Sequence, residues 1–224
     1  MSESTPLRMA VPKGSLFDGS LALLAEAGVD VGALADPGRQ LVVEAPGMQF
    51  IIGRPTDIPT YVAYGVADVA ICGADVLVEA GLDTLELVDL AFGGCRFIVA
   101  ESIGNERTIE ESYRHLGVLR VATKYPRVTE AHFAAQGVQV EVVKLHGNIE
   151  LAPLLGLADR IVDITASGRT LSENGLRVVE EVMSSTARFV ANPVSARTDA
   201  ARVFGLADRL EAAARRMEGR GGQA

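Results

Sequence analysis

The sequence predicts an α/β fold with largely parallel sheets. From Leu7 onward, short runs rich in Val, Ile and Leu alternate with stretches in which apolar residues recur at helical spacing. The run LRMAV, followed by the amphipathic residues 15–28, is the first such pair of strand and helix. Hydrophobic residues make up 48% of the 224 residues, which is ample for a buried core. Alternation of this kind is typical of sheets covered by helices.

The remaining elements follow from the same two patterns. Strands are predicted, in chain order, at QLVVEA, QFIIG, DVAIC, LELVDL, CRFIVA, RVATK, VQVEVVKL, DRIVDI, LRVVEEVM and ARFVAN. Helices are predicted at 57–64, 74–80, 107–116, 127–136, 148–155, 167–174 and 194–217. No internal repeat or low-complexity linker separates the halves. Two lobes would therefore be joined through ordered crossings, near 92–95 and again near 184–187, and a cleft between them would be the natural ligand site.

Charge and patterning exclude several classes of protein. The formal net charge of −8 disfavours a nucleic-acid surface, because phosphate contacts need clustered Lys and Arg. A small polyanion remains open as a ligand, and it would need a locally basic pocket. No run reaches ~18 apolar residues, so we expect no membrane span. The N-terminus lacks a basic segment leading into an apolar one, so we expect a cytoplasmic location.

The cysteines and histidines suggest no special chemistry. Cys72 lies in an apolar strand and Cys95 beside two glycines, so both are expected to be buried, reduced thiols. His115, His132 and His146 have no spacing typical of metal ligands. We expect surface histidines and no zinc site.

The strongest local signal is the run IVDITASGRTL at 161–171. An apolar strand passes Asp163 and enters a helix through a loop of small residues, Ala166, Ser167 and Gly168. Such a loop lets backbone N–H groups approach an anion, and the start of the helix adds further donors. The alternative is an ordinary turn in which Thr165 or Ser167 caps the helix. The residues alone leave both interpretations open.

Asp163 lies near the carboxyl end of its strand, where α/β proteins bind their ligands. A carboxylate there can bind ribose hydroxyls or Mg²⁺. A second signal is GRPTDIPTYVAY, in which Arg54 precedes a proline and is predicted to project from a turn, while Asp57 caps a short helix. Taken alone, a surface arginine and a plain cap would explain that segment equally well.

Further candidates share one placement, at the end of a strand or the beginning of a helix. They are Lys13 with Gly14 and Ser15, Arg96 after Gly93 and Gly94, Lys124, and Glu150. Solvation explains any one of them, and their common placement is what favours a binding site.

The residues resemble the ATP phosphoribosyltransferase family from Leu7 to Pro193. The segments that carry the resemblance are AVPKGSL, RPTDIPTYVAYGVADVAICGADVL, DLAFGGCRFIVA, RVATKYP, ELAPLLGLADRIVDITASGRTLSENGL and SSTARFVANP, in the order of the family. Because the chain ends after one further helix, it resembles the short form. The resemblance implies two α/β lobes similar to type II periplasmic binding proteins, with the active site in the cleft. Lobe I would be 1–92 plus 185–224, and lobe II would be 93–184 with a loop at 163–171 that binds phosphoribosyl pyrophosphate (PRPP).

The implied reaction transfers the 5-phosphoribosyl group of PRPP to N1 of the adenine of ATP and releases pyrophosphate, the first step of histidine biosynthesis. Carried over by resemblance, Lys13, Arg54 and Arg96 are catalytic. The implied PRPP-binding residues are Glu150, Asp163, Thr165, Ala166, Ser167, Gly168, Arg169 and Thr170, and the implied ATP-binding residues are Lys13, Arg54, Asp75 and Arg96. The implied cofactor is Mg²⁺, held mainly by substrate phosphates with Asp163 as a candidate ligand. The implied assembly is a homodimer within a hetero-octamer, whose regulatory subunit resembles histidyl-tRNA synthetase.

Two departures from the family pattern bear on activity. Ser15 stands where the family often has arginine, and Ala74 where lysine is frequent, so two cations near the polyphosphates are missing. Three explanations stay open: substrate affinity is weaker than in the family, another basic residue compensates, or the two positions tolerate residues without charge. Ile164 also stands where type I phosphoribosyltransferases have a second acid. Two other functions stay open: a solute-binding receptor, which the missing export signal disfavours, and a catalytically weak assembly subunit, which the retained loop and Arg54 disfavour.

Overall fold

A computed structural model describes residues 5–104 and 106–221. The strands are β1 (Leu7–Pro12), β2 (Val42–Ala45), β3 (Met48–Gly53), β4 (Val69–Gly73), β5 (Leu85–Asp89), β6 (Cys95–Ser102), β7 (Leu119–Thr123), β8 (Val140–Lys144), β9 (Arg160–Thr165), β10 (Leu176–Ser185) and β11 (Ala187–Ala191). Every predicted strand is confirmed. The apolar runs identified them, including the edge strands β2, β5, β8 and β10, which are largely exposed or half-buried.

The helices are α1 (Phe17–Glu26), α2 (Gly32–Ala35), α3 (Ile58–Ala63), α4 (Ala74–Ala80), α5 (Glu106–Leu116), α6 (Pro126–Ala135), α7 (Leu151–Leu154), α8 (Arg169–Glu173), α9 (Pro193–Thr198) and α10 (Ala200–Gly221), with a 3-10 turn at Pro55–Asp57. Within the described ranges no helix is long and apolar enough to cross a membrane. The short helix α2 was not predicted, and α7 and α8 are shorter than expected.

Backbone contacts divide the chain into two units. Unit 1 comprises Met1–Gly93 and Thr186–Ala224, and unit 2 comprises Gly94–Ser185. The predicted limits at 92 and 184 differ from these boundaries by one residue each. The chain therefore leaves unit 1 once and returns to it once.

Each unit contains one mixed sheet. In unit 1 the strand order is β2-β3-β1-β4-β11-β5, with β3, β1 and β4 parallel. In unit 2 the order is β10-β6-β9-β7-β8, with β9, β7 and β8 parallel. The remaining pairs are antiparallel, so the prediction of largely parallel sheets is wrong. Apolar patterns report burial and not strand direction, and connections as short as the two residues between β2 and β3 allow antiparallel pairing.

The inner strands β1 and β6 are apolar and buried on both faces. In unit 1, Met9 and Val11 of β1 pack on one face, while Ala10 between them packs on the other. In unit 2, Phe97 and Val99 likewise lie opposite Ile98 and Ala100. Such strands carry the side chains that follow them on a rigid support, which is what a binding site requires.

The helix predicted at 194–217 is two helices. The break is at Asp199, whose backbone angles (φ −133°, ψ 41°) leave the helical region. Asp199 then accepts the backbone N–H of Val203 and forms an ion pair with Arg202, as a residue preceding a helix does. The preceding helix, α9, is capped by Asn192, whose side chain accepts the N–H groups of Val194 and Ser195. Because Asn192 begins α9 and Asp199 separates it from α10, a single amphipathic pattern in the sequence covers two helices.

The two units share a local motif that joins neighbouring parallel strands. Arg8 on β1 donates its backbone N–H (2.9 Å) and its guanidinium (2.7 Å) to the carboxylate of Asp68, which precedes β4. Arg120 on β7 donates in the same way (2.9 and 2.8 Å) to Asp159, which precedes β9. The sequences LRMA and GVADVAI in unit 1 match LRVA and GLADRIV in unit 2. The expectation of no internal repeat is therefore wrong at this level.

Candidate functional site

In unit 1, two predicted cations leave the sheet side by side. Pro12, the last residue of β1, pairs with Gly53, the last residue of β3, and the N–H of Lys13 donates to the carbonyl of Gly53 (2.8 Å). Lys13 and Arg54 follow directly, and both are exposed. Arg54 has extended backbone angles (φ −70°, ψ 142°), as the proline at 55 predicts. The carboxyl-end edge of parallel strands thus brings Lys13 and Arg54 together.

Beside this edge lies a pocket of about 360 Å³. It contains a third cation, Arg39, which the sequence analysis missed. The available signal was the turn residues Pro37 and Gly38, which Arg39 follows before β2. The pocket is lined by Lys13, Gly14, Phe17, Asp18, Pro37, Gly38, Arg39, Gln40 and Ile52. The lining holds the two cations Lys13 and Arg39 and one carboxylate, Asp18, so the pocket has the positive balance of charge that a polyanion site needs.

The turn after Lys13 depends on glycine. Gly14 has φ +89°, in the region that side chains disfavour, and its carbonyl accepts the N–H of Phe17 at the start of α1 (2.9 Å). Ser15, the first departure from the family pattern, is exposed in this turn. The turn presents Lys13 to the pocket without a neighbouring bulky side chain.

Asp75 and Ala74 lie at the end of β4 but are buried. Asp75 is 9% exposed in the first turn of α4, and its carboxylate lies so close over Gly73 that a side chain at 73 would collide with it. Ala74 donates its N–H to the carbonyl of Thr186 (3.0 Å). Burial of Asp75 at a helix N-terminus favours support of this edge over direct contact with ATP.

In unit 2, the loop between β9 and α8 has the glycine conformation that a nest requires. Gly168 has φ +74° and precedes the first helical residue, Arg169. Because α8 has five residues, its dipole is small, and backbone N–H groups are the donors that matter. Neither Thr165 nor Ser167 caps α8 at its N-cap position, which is Gly168. The capping expectation is wrong in that form.

Two hydroxyls of the loop bind its own backbone. Thr165 Oγ1 accepts the N–H of Gly168 (2.8 Å), and Ser167 Oγ accepts the N–H of Arg169 at the long distance of 3.4 Å. The guanidinium of Arg169 donates to Glu173 within the helix (2.7 Å), as an exposed pair. The first contact fixes the loop, while the second and third are weak enough for an anion to replace.

Asp163, Glu150 and Lys124 form an electrostatic group in unit 2. Burial raises the pKa of the Asp163 carboxyl and the nearby Glu150 raises this pKa further. The N–H of Ile164, which donates to Asp163 (2.8 Å), and the charge of Lys124 lower the pKa, and the net shift is upward. A carboxylate held at electrostatic cost is typical of functional sites. A bound cation or a hydroxyl donor would relieve that cost.

Arg96 lies on β6 directly opposite Thr165, the first residue of the loop. Its guanidinium donates to Glu181 on β10 (3.1 Å). The structure thus brings Arg96, Asp163 and the loop together in unit 2, and Lys13 and Arg54 together in unit 1. The partner Glu181 was missed, because a contact between strands 85 residues apart leaves no local signal.

Other expectations meet mixed outcomes. Asp57 lies at the N-cap position of α3, but its side chain makes no capping hydrogen bond. Cys72 is buried, and burial raises the pKa of its thiol, while Cys95 is half-buried rather than buried. His132 is also not a surface residue, since it is 13% exposed and lies 3.2 Å from Glu180.

Among the residues that the structure describes, no group of three or more His, Cys, Asp and Glu side chains is arranged to hold a metal ion. Asp163 and Glu150 are the carboxylates of the candidate site in unit 2. Carboxylate oxygens are ligands that Mg²⁺ prefers, and a divalent cation would offset the upward shift of the Asp163 pKa. The donor set fits a magnesium ion that receives its other ligands from a bound substrate.

Comparison with known proteins identifies the family. The ATP phosphoribosyltransferase (HisG) family model matches residues 54–212. The chain belongs to the ATP phosphoribosyltransferase family. An ATP phosphoribosyltransferase of Moorella thermoacetica is 50% identical over 221 residues, covering 97% of this chain and 95% of the relative. One of Rubrobacter xylanophilus is 48% identical over 200 residues, covering 89% and 93%. The resemblance found in the sequence is confirmed.

Solved structures support the fold of an ATP phosphoribosyltransferase. The ATP phosphoribosyl transferase (HisG:HisZ) complex of Thermotoga maritima contains a chain 33% identical to this one, with a TM-score of 0.80, covering 94% of this chain and 99% of that chain. The periplasmic aliphatic sulphonate binding protein SsuA of Escherichia coli is 14% identical, with a TM-score of 0.59, covering 99% and 76%. The second likeness concerns the fold alone. The predicted α/β class, similar to periplasmic binding proteins, is confirmed.

Proposed function

We propose that the two groups of residues described above carry out the ATP phosphoribosyltransferase reaction in this chain. The chain is a pentosyltransferase of the first step of histidine biosynthesis, which joins PRPP to N1 of the adenine of ATP and releases pyrophosphate. The observation that carries this conclusion is 50% identity to a relative of that name along 97% of the chain. The loop at 165–170 and the cationic edge of unit 1 supply the chemistry that two polyanionic substrates demand.

Unit 2 binds PRPP. The 5-phosphate accepts hydrogen bonds from the loop Thr165–Thr170, where Ala166, Ser167 and Thr170 offer backbone N–H groups and Arg169 exchanges Glu173 for phosphate. Thr165 keeps the loop in shape through its bond to the N–H of Gly168. Asp163 and Glu150 accept the ribose hydroxyls, whose protons relieve the mutual repulsion of the two carboxylates.

Unit 1 binds the phosphates of ATP and the departing pyrophosphate through Lys13, Arg39 and Arg54. Arg39 lines the same pocket as Lys13 and replaces the cation that the family often carries at Ser15. Compensation is therefore the explanation we favour for that departure. One guanidinium can donate to two oxygens of the same phosphate. Arg39 and Arg54 therefore supply the missing positive charge and also orient the phosphate. The carboxylate of Asp75 lies over Gly73 and supports the end of β4 at this edge.

Asp163 would be the carboxylate ligand of a Mg²⁺ ion whose other ligands come mainly from the substrate phosphates. When bound, such an ion would supply neutralisation of charge on the pyrophosphate. The remaining work falls to the side chains of this chain.

The reaction needs positioning more than proton transfer. N1 of adenine has a free lone pair, so no strong general base is required. C1 of the ribose gains oxocarbenium character as the pyrophosphate departs, and Lys13, Arg54 and Arg96 stabilise the negative charge that develops on the leaving group. Holding both substrates at attack distance supplies the rest of the rate enhancement.

The assembly includes a regulatory subunit. The likeness to a chain of the HisG:HisZ complex supports such a partner. A subunit similar to histidyl-tRNA synthetase, a homodimer of this chain and a hetero-octameric whole remain our proposal for its composition. The cytoplasmic location stays a prediction from the sequence.

The test is an enzyme assay with ATP, PRPP and Mg²⁺, with pyrophosphatase to remove the product. We expect the ultraviolet change that accompanies ribosylation of adenine N1, and we expect it to depend on PRPP. The assay is repeated with the regulatory subunit and with histidine, to test activation and inhibition. Absence of product under all conditions would overturn the assignment. PRPP binding without product would indicate the inactive assembly subunit, and tight binding of an unrelated small solute would indicate a receptor.

Arg54→Ala is the sharpest variant for the proposed chemistry. We expect kcat/KM to fall roughly 10²- to 10³-fold, the cost of removing one preorganised group that stabilises developing charge. Arg54 is exposed, so thermal unfolding is expected to stay unchanged. Arg215→Ala is the matched control, since Arg215 is an exposed arginine paired within α10. Equal activity of Arg54→Ala and Arg215→Ala would refute the role of Arg54.

A further inference from the structure

We propose that Glu181 is a positioning residue that holds the guanidinium of Arg96 for phosphoribosyl transfer. The inference rests on the proposed function, which gives Arg96 its task at the leaving group. Arg96 donates to Glu181 Oε2 at 3.1 Å, and the two side chains are 43% and 48% exposed. Glu181 has no substrate role in the scheme above, and its effect passes through Arg96.

The register of the sheet places both residues on one face with the PRPP loop. β6 lies between β10 and β9. Ile98 pairs with Glu181 on one side and with Asp163 on the other, while Arg96 pairs with Thr165. Side chains two positions apart on a strand share a face, as do residues directly opposite each other. The pair Arg96–Glu181 therefore lies on the sheet face of Asp163 and Thr165.

An arginine at this position needs something to orient it. Its side chain has several rotatable bonds, and without a partner the guanidinium samples positions on both sides of β6. Glu181 holds the guanidinium on the β10 side of β6, on the sheet face that also carries Asp163. Because the pair is half-exposed, it biases the position of Arg96 and leaves the guanidinium available to a pyrophosphate oxygen.

Unit 1 contains a similar contact between a carboxylate of an outer strand and a side chain at the next strand. Asp89 on β5 pairs with Arg188 on β11, as Glu181 pairs with Ile98. Asp89 accepts a hydrogen bond from the hydroxyl of Thr186 (2.8 Å), two residues before Arg188, as Glu181 does from Arg96. A carboxylate on the outer strand that holds a side chain of the next strand is thus a recurring device of this fold.

The chain supplies a matched control in the neighbouring residue. Glu180 lies on the same strand, but its carboxylate accepts from Gln136 (2.6 Å) and lies 3.2 Å from His132. Glu180→Gln removes the same charge from the same strand without touching Arg96. Any general effect of charge or of strand stability will therefore appear in both variants.

The experiment measures kcat and KM for PRPP in the assay above, for the wild type, Glu181→Gln, Glu180→Gln, Arg96→Ala and the double variant Arg96→Ala/Glu181→Gln. We expect Glu181→Gln to lower kcat roughly three- to fivefold with little change in KM, because a half-exposed ion pair has a modest effect. Glu180→Gln is expected to match the wild type. In the Arg96→Ala background, Glu181→Gln is expected to cause no further loss, because its effect requires the guanidinium.

Two results would overturn the inference while leaving the proposed function intact. One is unchanged kcat in Glu181→Gln, and the other is an equal loss in the Arg96→Ala background, which would show a structural role. If the wild type makes no product, the proposed function fails, and the inference fails with it because Arg96 then serves no reaction.

Discussion

Carboxylates at the two ends of the parallel strands have pKa values shifted in opposite directions. At the amino end of β4, Asp68 is 14% exposed and accepts hydrogen bonds from Arg8 and from Ser195 (2.7 Å). Burial pushes its pKa upward, but these bonds outweigh burial and the net pKa is lowered. Near the carboxyl end of β9, burial raises the pKa of Asp163 and the charge of Glu150 raises it further, while one backbone N–H and the charge of Lys124 do not offset them, so the net pKa is raised.

The difference separates residues that stabilise the fold from residues that serve the substrate. Asp159 repeats the arrangement of Asp68 in unit 2, so a paired carboxylate at the amino end is part of the framework of each unit. Asp163 lies on the strand that follows Asp159, yet the groups around it do not offset the cost of burying its charge. Natural proteins violate local rules of stability at functional sites. The raised pKa of Asp163 and the adjoining loop before α8 therefore both favour a binding site at this end of the sheet.

Among the variants that bear on this comparison, Asp163→Asn is expected to have the largest effect. Asparagine still accepts the N–H of Ile164 but cannot offer a charge to Mg²⁺, so we expect kcat/KM to fall roughly 10²-fold. In contrast to the activity, the stability of the variant is expected to increase. Because the folded pKa is raised, the ionised group costs stability at pH 8, and the variant is expected to melt at a higher temperature there.

The pH dependence of that gain is the control. Below the ordinary pKa of aspartate both states of the wild type are protonated, so the advantage of Asp163→Asn is expected to vanish in acid and to grow as pH rises through the raised pKa. Calorimetry at pH 3 and pH 8 measures it. A variant that is destabilised at pH 8 would show that Asp163 belongs to the framework.

Asp68→Asn is expected to have the reverse profile. It leaves Arg8 without its carboxylate, so we expect a loss of about 2 kcal/mol in the free energy of unfolding at pH 7, with kcat unchanged. The folded pKa of Asp68 is lowered, so its contribution is present above the ordinary pKa and is lost as pH falls through the folded value. Urea unfolding at pH 7 and pH 3 should show the difference between variant and wild type shrinking in acid. A large loss of kcat at full stability would contradict the comparison.

A smaller effect is expected from Thr165→Val. It removes the hydroxyl that accepts the N–H of Gly168, which costs about 1 kcal/mol of loop order and should raise KM for PRPP roughly fivefold. Ser167→Ala is the matched control, because its hydroxyl lies at 3.4 Å from the N–H of Arg169 and contributes little to the loop. Equal KM values for the two variants would show that the Thr165 bond does not shape the site.

Sequence patterns predicted the elements better than their arrangement. Every strand was found from its apolar run, and for inner strands such as β1 and β6 that run reflects burial on both faces. The directions of β2, β6 and β11, which run opposite to the other strands of their sheets, were not found, since a run of apolar residues reads the same in parallel and antiparallel pairs. The break at Asp199 was missed because the amphipathic pattern continues across it.

The candidate site was predictable in part for a related reason. Lys13, Arg54 and the loop at 165–170 stand next to strand ends, which glycines and prolines mark in the sequence. Arg39 and Glu181 come from elsewhere in the chain, and only the order of the strands brings them beside Lys13 and Arg96. The similar sequence segments around Arg8 and Arg120 were visible in the chain. Their hydrogen bonds to Asp68 and Asp159 were recognised only in the structure.

Stabilisation by PRPP with Mg²⁺ tests the central comparison most directly. A ligand at 100 times its Kd raises the free energy of unfolding by about 2.7 kcal/mol, so the melting temperature of the wild type should rise clearly when PRPP and Mg²⁺ are added. We predict the same rise for Asp68→Asn, from a lower starting point, and a much smaller rise for Asp163→Asn. A full rise in Asp163→Asn together with its loss in Asp68→Asn would contradict the account.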